Sequence, residues 1–178
     1  GRCEGANLEV VEAAALLHDV ARAEEARTGV CHAIAGARRA RVILRGQDPK
    51  RVERVAIAIS EHRFRSGQQP SSLEARVLYD ADKLDAIGAI GVARAYAVAG
   101  QYRQLLWADV PTVANGHPGG GLGDPGESGY TPVHEYRDKL IKLGTMLFTR
   151  SGREIARQRE QYMAEFFQRL ELEVRGRL

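Results

Sequence analysis

His18 and Asp19 stand side by side in the run Ala-Ala-Ala-Leu-Leu-His-Asp-Val-Ala-Arg (13–22), where most other residues are apolar. A helix that only packs a core has no use for an adjacent imidazole and carboxylate, because burying either without a partner costs free energy. Further along, Asp80, Asp82 and Asp85 punctuate a second apolar stretch, with Lys83 among them. Imidazole and carboxylate together form a donor set for a borderline divalent cation. A cation held with open coordination positions would polarise a phosphoryl oxygen and lower the pKa of a bound water, the chemistry of phosphate-ester hydrolysis.

The spacing narrows the ligand choice. Neighbouring helical residues point about 100° apart, so a His-Asp dyad binds one ion only if a ligand arrives from another helix. Asp82 is the natural third ligand, giving His18, Asp19 and Asp82 as the metal set. A lone His-Asp pair reads more simply as an imidazole bonded to its neighbour or to backbone; the apolar surroundings and the second acidic cluster favour the metal reading. Asp82 and Asp85 share a helix face, while Asp80 points away from Asp82. Crowded carboxylates repel unless a cation offsets them, and Lys83 could be that cation. Asp80 and Asp85 are read as structural, capping a helix or pairing with an arginine.

His32 and His62 are the next candidates. His32 could be a second-site ligand or a phosphate contact. His62 closes its helix in Glu61-His62-Arg63, where a protonated imidazole is favoured. His117 and His134 have weaker claims.

These residues need helices to place them. Residues 7–25 read as one helix capped by Asn7, with Leu8, Val11, Ala15 and Leu16 on one apolar face and Val10, Ala14 and Leu17 broadening it. Thr28 can cap a helix over about 29–45, ending at Gly46. Asp48-Pro49 opens a third helix, running to about Arg63. Ser71 or Ser72 starts the helix that holds the aspartates, and Gly88 and Gly91 break or kink its continuation toward Gly100. A short helix around 101–108 holds Trp107. Helices over about 132–147 and 151–175 close the chain, the last capped by Ser151, with Ile155, Tyr162, Phe166 and Leu170 in register and Met163 and Phe167 beside them. The segment 115–129 carries seven glycines and two prolines and reads as a flexible loop. It lacks the Gly-Lys-Ser/Thr of a phosphate-binding P-loop. No segment alternates convincingly with strand period, so the fold class is all-α, and 1–178 reads as a single domain.

Composition removes other classes. The chain has 178 residues and is 44% hydrophobic, enough to bury a core. A net charge of +3 suits an anionic substrate, but no dense Lys/Arg tract argues for nucleic acid. Aromatic residues make up 6%, too few for a base-stacking platform. No apolar run is long enough to span a membrane. Cys3 and Cys31 form no CxxC pair and no signal peptide is visible, which fits reduced thiols in a cytoplasmic protein. Phe166 and Phe167 on the last helix could serve a homodimer as well as the core.

The ordered set Ala-Ala-Leu-Leu-His18-Asp19, Ala-Ile-Ser-Glu-His62-Arg-Phe and Leu-Tyr-Asp80-Ala-Asp82-Lys83-Leu84-Asp85-Ala-Ile-Gly-Ala-Ile-Gly91 resembles the HD superfamily of metal-dependent phosphohydrolases. It is most similar to the small stand-alone bacterial members, some of which are nucleotide pyrophosphohydrolases. Lys139-Leu-Ile-Lys-Leu and the long last helix also look similar. The resemblance implies a single helical bundle that holds Mn, Mg, Co, Ni or Fe through His18, Asp19 and Asp82. It also implies catalytic roles for Asp19 and His62 in orienting water, and substrate phosphate contacts from Lys83 and His32. His32 and His62 match pocket histidines that would bind a second metal or orient phosphate and water. The family's first ligand histidine precedes the dyad, and the seventeen residues before His18 contain none. The helix carrying it is therefore expected to lie outside this sequence. The implied substrate is a small phosphate ester, above all a nucleotide. A non-catalytic helical module that binds nucleotide or a partner through a degenerate site is the alternative.

Overall fold

A computed structural model of the chain describes residues 1–63, 69–109 and 129–178. The described residues are helical with no strand, as the hydrophobic periodicity requires. They divide into two compact units: Gly1–Asp82 with Leu147–Gly152, and Lys83–Met146 with Arg153–Leu178. The Gly-rich segment expected as a loop lies almost wholly outside the described residues. None of the described helices is long and apolar enough to cross a membrane.

The first unit holds α1 (Leu8–Leu17), α2 (Arg22–Thr28), α3 (His32–Ile43), α4 (Pro49–Glu61) and most of α5 (Leu73–Leu84). Three starts follow the expected caps. Asn7 accepts from Val10 N, Asp48 from Lys50 N and Arg51 N, and Ser72 from Ala75 N. Helices α1, α3, α4 and α5 meet over Val10, Ala14, Ala37, Ala40, Val55, Ala56, Ile59, Ala75 and Leu78. So many alanines let the backbones approach closely. Of the wide apolar face expected on α1, Val10 and Ala14 are the buried members, Leu8, Val11 and Leu17 are half-buried, and Ala15 and Leu16 are exposed, Leu16 by 85%.

The expected continuous helix 7–25 is instead two helices broken at the dyad. Helix α1 stops at Leu17, and residues 18–21 form a turn in which Val20 N bonds Leu17 O and Arg22 N bonds Asp19 O. The His18 ring caps the end of α1 by bonding the Ala15 carbonyl at 2.8 Å, occupying one of the carbonyls a helix C-terminus leaves open. The apolar pattern runs straight through the break, so periodicity could not reveal it. Thr28 does not cap α3; it ends α2, donating to Glu24 O and accepting from Val30 N. Helix α3 can close on this turn because Gly36 has no side chain: a Cβ there would lie 3.2 Å from the His18 carbonyl oxygen and 3.3 Å from Ile59.

Asp80 has the structural role expected of it. It is 2% exposed and accepts from Phe148 N at 2.9 Å, Thr149 N at 2.7 Å and the Thr149 hydroxyl at 2.6 Å. These bonds satisfy the start of α8 (Arg150–Val174), whose cap is Thr149 rather than Ser151: Gly152 N bonds its hydroxyl. A carboxylate also suits the positive end of a helix dipole.

In the second unit, α6 (Gly88–Gln101) begins at Gly88, with φ of 76° and the Arg159 side chain 2.9 Å from where a Cβ would sit. Only glycine tolerates both demands. Residues 102–109 are not helical, against the expected helix around Trp107; Trp107 lies under the Arg175 guanidinium. The expected helix 132–147 is α7 (Pro132–Asp138) followed by a 3-10 segment, Leu140–Met146. The inward face of α8 is Ala156, Met163 and Phe167, with Ile155 and Tyr162 41% and 48% exposed, and Phe167 stacks on Tyr136 at 4.2 Å.

Replacing Asp80 by Ala strands two backbone N–H groups and a buried hydroxyl, at a cost of about 2–4 kcal/mol. The melting temperature is expected to fall by roughly 5–15 °C, with affinity for a divalent cation unchanged. A loss of cation binding with normal stability would instead make Asp80 a ligand.

Candidate metal centre

Four side chains from three segments converge in the first unit. The turn after α1 supplies His18 and Asp19, the first residue of α3 supplies His32, and the C-terminal end of α4 supplies His62. One ligand atom each from Asp19, His32 and His62 lies within 4.8 Å of the others, a spacing one ion can bridge. His18 borders the group, its Nε2 lying 3.5 Å from Asp19 Oδ2 and its ring 5.2 Å from that of His62. His32 and His62 are almost fully buried, while the Asp19 side chain is 40% exposed, so the group opens to solvent on the Asp19 side.

Each imidazole is held by its Nδ1 nitrogen. His18 Nδ1 faces Ala15 O, His62 Nδ1 faces Ile59 O at 2.6 Å, and His32 Nδ1 faces Glu25 Oε2. A carbonyl or carboxylate oxygen can only accept, so each of these bonds needs the hydrogen on Nδ1. A ring so engaged and carrying one hydrogen presents a bare Nε2, the nitrogen that ligates metals. His32 Nε2 and His62 Nε2 lie 3.2 Å apart, and with both rings neutral and Nδ1 protonated neither has a hydrogen to give. Two lone pairs at that distance repel unless a cation lies between them.

Asp19 supplies a second sign. Its Oδ1 is the one buried side-chain polar atom among the described residues that lacks a hydrogen bond. Arg22 Nε lies 2.9 Å away and His32 Nε2 3.2 Å, yet neither contact has hydrogen-bond geometry, so both count as charge proximity only. A buried oxygen without a donor, beside two bare imidazole nitrogens, is a cation-shaped deficit. Nitrogen and carboxylate oxygen together suit Mn, Fe, Co, Ni or Zn. The residues present fit a divalent ion.

The surroundings tune the group. Burial pushes the His62 imidazole down to about 4; the Ile59 carbonyl and the Asp82 charge oppose the shift, and His18 and His32 add to it. The sequence places a protonated imidazole at this helix end, but desolvation outweighs the helix-end preference and keeps His62 neutral. Glu25 is lowered to about 2, chiefly by its hydrogen bond with His32 and then by Arg63, against the effect of burial.

The geometry redistributes the expected site. Asp19 stays, with His18 at its side. His32 and His62, read from the sequence as second-metal ligands or as contacts to phosphate and water, stand beside Asp19 in the group of three. Asp82 lies near enough for its charge to act on His62, but it is not in the group of three. Lys83 follows it on α5 and begins the second unit. His134 bonds Thr131 in the second unit, and His117 lies outside the described residues. Glu25 and Arg63 were missed. Nothing in their spacing marks them, because the break after α1 is what brings α2 to the foot of α3.

In the metal-free protein, the His62 shift sets a pH dependence. The unfolded histidine takes up its proton near 6.5 and the folded one near 4. Stability is thus complete above about pH 6.5 and falls as pH drops toward 4, by on the order of 3 kcal/mol. Glu25 adds a loss only below about 4.5. Denaturation midpoints at pH 7 and pH 5 should differ for the parent and converge in His62→Asn; equal pH slopes in both would contradict the assignment.

Comparison with known proteins gives the family. An HD domain family model matches residues 2–87, which include the dyad, His32, His62 and Asp82. YpgQ of Bacillus subtilis (strain 168) is 32% identical over 183 residues, spanning 99% of this chain and 78% of that protein. The crystal structure of B. subtilis YpgQ in complex with ADP superposes with a TM-score of 0.71 at 26% identity, covering 100% of this chain and 83% of that one. A predicted HD superfamily hydrolase from an uncultured Thermotogales bacterium matches with a TM-score of 0.64 at 30% identity, covering 97% and 71%. With a relative this similar over 99% of this chain and the dyad within the matched region, the chain belongs to the HD-domain family, alongside HD superfamily hydrolases.

Proposed function

We propose that this chain is a metal-dependent phosphohydrolase acting on small phosphate esters, with nucleotides as the substrate class. The observation that carries the reading is the buried, unbonded Asp19 Oδ1 facing the bare Nε2 atoms of His32 and His62. Nucleotides are favoured because YpgQ, alike over this whole chain, was crystallised with ADP. The modest positive charge of the chain is consistent with an anionic substrate.

Asp19, His32 and His62 would hold the ion, with His18 and Asp82 close by. A divalent ion there supplies a Lewis acid for a phosphoryl oxygen and acidifies a water. The residues do the rest. Asp19 keeps Oδ2 on the exposed side, where it can accept a proton from an attacking water and orient it. The buried histidines exclude bulk water behind the reacting phosphate. Arg22, about half exposed beside Asp19, can pair with phosphate oxygens as negative charge builds. Lys83 is assigned a similar phosphate contact.

Phosphate, pyrophosphate and triphosphate release should be followed separately on a panel of nucleoside di- and triphosphates with Mn²⁺, Mg²⁺, Co²⁺ or Ni²⁺. Turnover is expected with at least one metal, to vanish on chelation and to return when that metal is added back. Asp19→Asn and His62→Gln should each lower kcat by at least about 100-fold, whereas Lys83→Met should act mainly on KM, by about ten-fold. Turnover that survives both chelation and Asp19→Asn would sink the proposal.

A further inference from the structure

Glu25, His32 and Arg63 form a cluster behind the candidate metal centre. Arg63 Nη1 lies 2.6 Å from Glu25 Oε1 and also 3.0 Å from His32 Nδ1. His32 Nδ1 faces Glu25 Oε2 as well. One ring nitrogen cannot serve both neighbours. Arginine only donates and an ionised carboxylate only accepts, so the two neighbours demand opposite states of Nδ1. If Nδ1 were bare, Arg63 would donate to it and the ring hydrogen would sit on Nε2. That hydrogen would point toward His62 Nε2 and Asp19 Oδ1, both 3.2 Å away, and the ring could not ligate a cation. If Nδ1 carries the hydrogen, it donates to Glu25 and Nε2 is free.

We propose that Glu25 is a positioning residue that fixes His32 in the Nδ1–H form and so keeps the Nε2 lone pair available to a cation. The inference rests on the metal-site reading above. Arg63 keeps Oε1 occupied, which leaves Oε2 for His32 and holds the carboxylate in place. His32 is fully buried, while Glu25 and Arg63 are about four-fifths covered, so water has little room to replace either partner. A carboxylate behind a ligating imidazole also raises its basicity. The residue reaches the cation only through His32 and touches no substrate.

Glu25→Gln tests the assignment, because it preserves shape and removes charge. Arg63 still needs an acceptor and would claim the amide oxygen. The amide nitrogen would then face His32 Nδ1 and donate to it, driving the ring hydrogen to Nε2. In metal-free full-length protein at pH 8.5, ¹⁵N spectra of the histidine rings, with His32 assigned by a His32→Gln control, should show Nδ1–H in the parent and Nε2–H in Glu25→Gln. Mn²⁺ affinity measured by calorimetry should fall about 10–100-fold. In Glu25→Gln/Arg63→Met the amide is free to turn its oxygen toward the ring, and both the Nδ1–H form and most of the affinity should return. A contact that only supports the fold would leave the double variant worse than the single one. Arg63→Met alone keeps the Glu25 bond and should retain Nδ1–H, which decides the matter even if Glu25→Gln fails to fold. Nδ1–H persisting in Glu25→Gln, Nε2–H in Arg63→Met, or no recovery in the double variant would each overturn the assignment. A parent protein that binds no Mn²⁺ would defeat the hydrolase reading, while the ring spectra would still judge the role of Glu25.

Discussion

Two imidazole nitrogens 3.2 Å apart, bare when the rings are neutral, favour positive charge between them and the buried carboxylate oxygen at their side. With each Nδ1 hydrogen committed to a carbonyl or a carboxylate, neutral rings have none left to bridge the gap. Much of the first unit serves to create that shortage. The break after α1 turns His18 and Asp19 inward together, and Gly36 lets α3 close against the His18 carbonyl. The end of α4 delivers His62, and α2 exists largely to bring Glu25 behind His32. Removing water from these groups would be a pure cost without a cation to take its place.

Stability and site are kept apart in the same stretch of sequence. Asp80 and Asp82 are two residues apart on α5, yet Asp80 is spent on the start of α8 through three hydrogen bonds. Asp82 acts electrostatically on His62. The alternation of roles comes from helix geometry, since residues two apart face different neighbours.

Much of the fold and part of the site are legible in the amino-acid sequence. The dyad in an apolar run, the caps at Asn7, Asp48 and Ser72, and the structural character of Asp80 all rest on local chemistry, which sequence carries directly. The break at His18 is hidden, because apolar periodicity continues across it and no glycine or proline marks it. The inward face of α8 is only partly read for a related reason: Ile155 and Tyr162 are bulky enough to belong with Met163 and Phe167, and only packing decides between them. His32 and His62 stand out as candidates, but their approach to Asp19 depends on helix ends meeting in space. Glu25 and Arg63 give no signal, since charged residues on short helices and just past helix ends are common and their shared partner is a buried ring on another helix.

The central claim is that Asp19, His32 and His62 share one divalent ion. Crystals of the protein grown or soaked with Mn²⁺ and measured for anomalous scattering test it most directly. The account predicts a strong anomalous peak about 2.0–2.3 Å from Asp19 Oδ1 and from the Nε2 atoms of His32 and His62, with the Nδ1 contacts to Glu25 and Ile59 intact. A well-ordered cluster without a peak, or a peak elsewhere while His32 and His62 remain in contact, would contradict it.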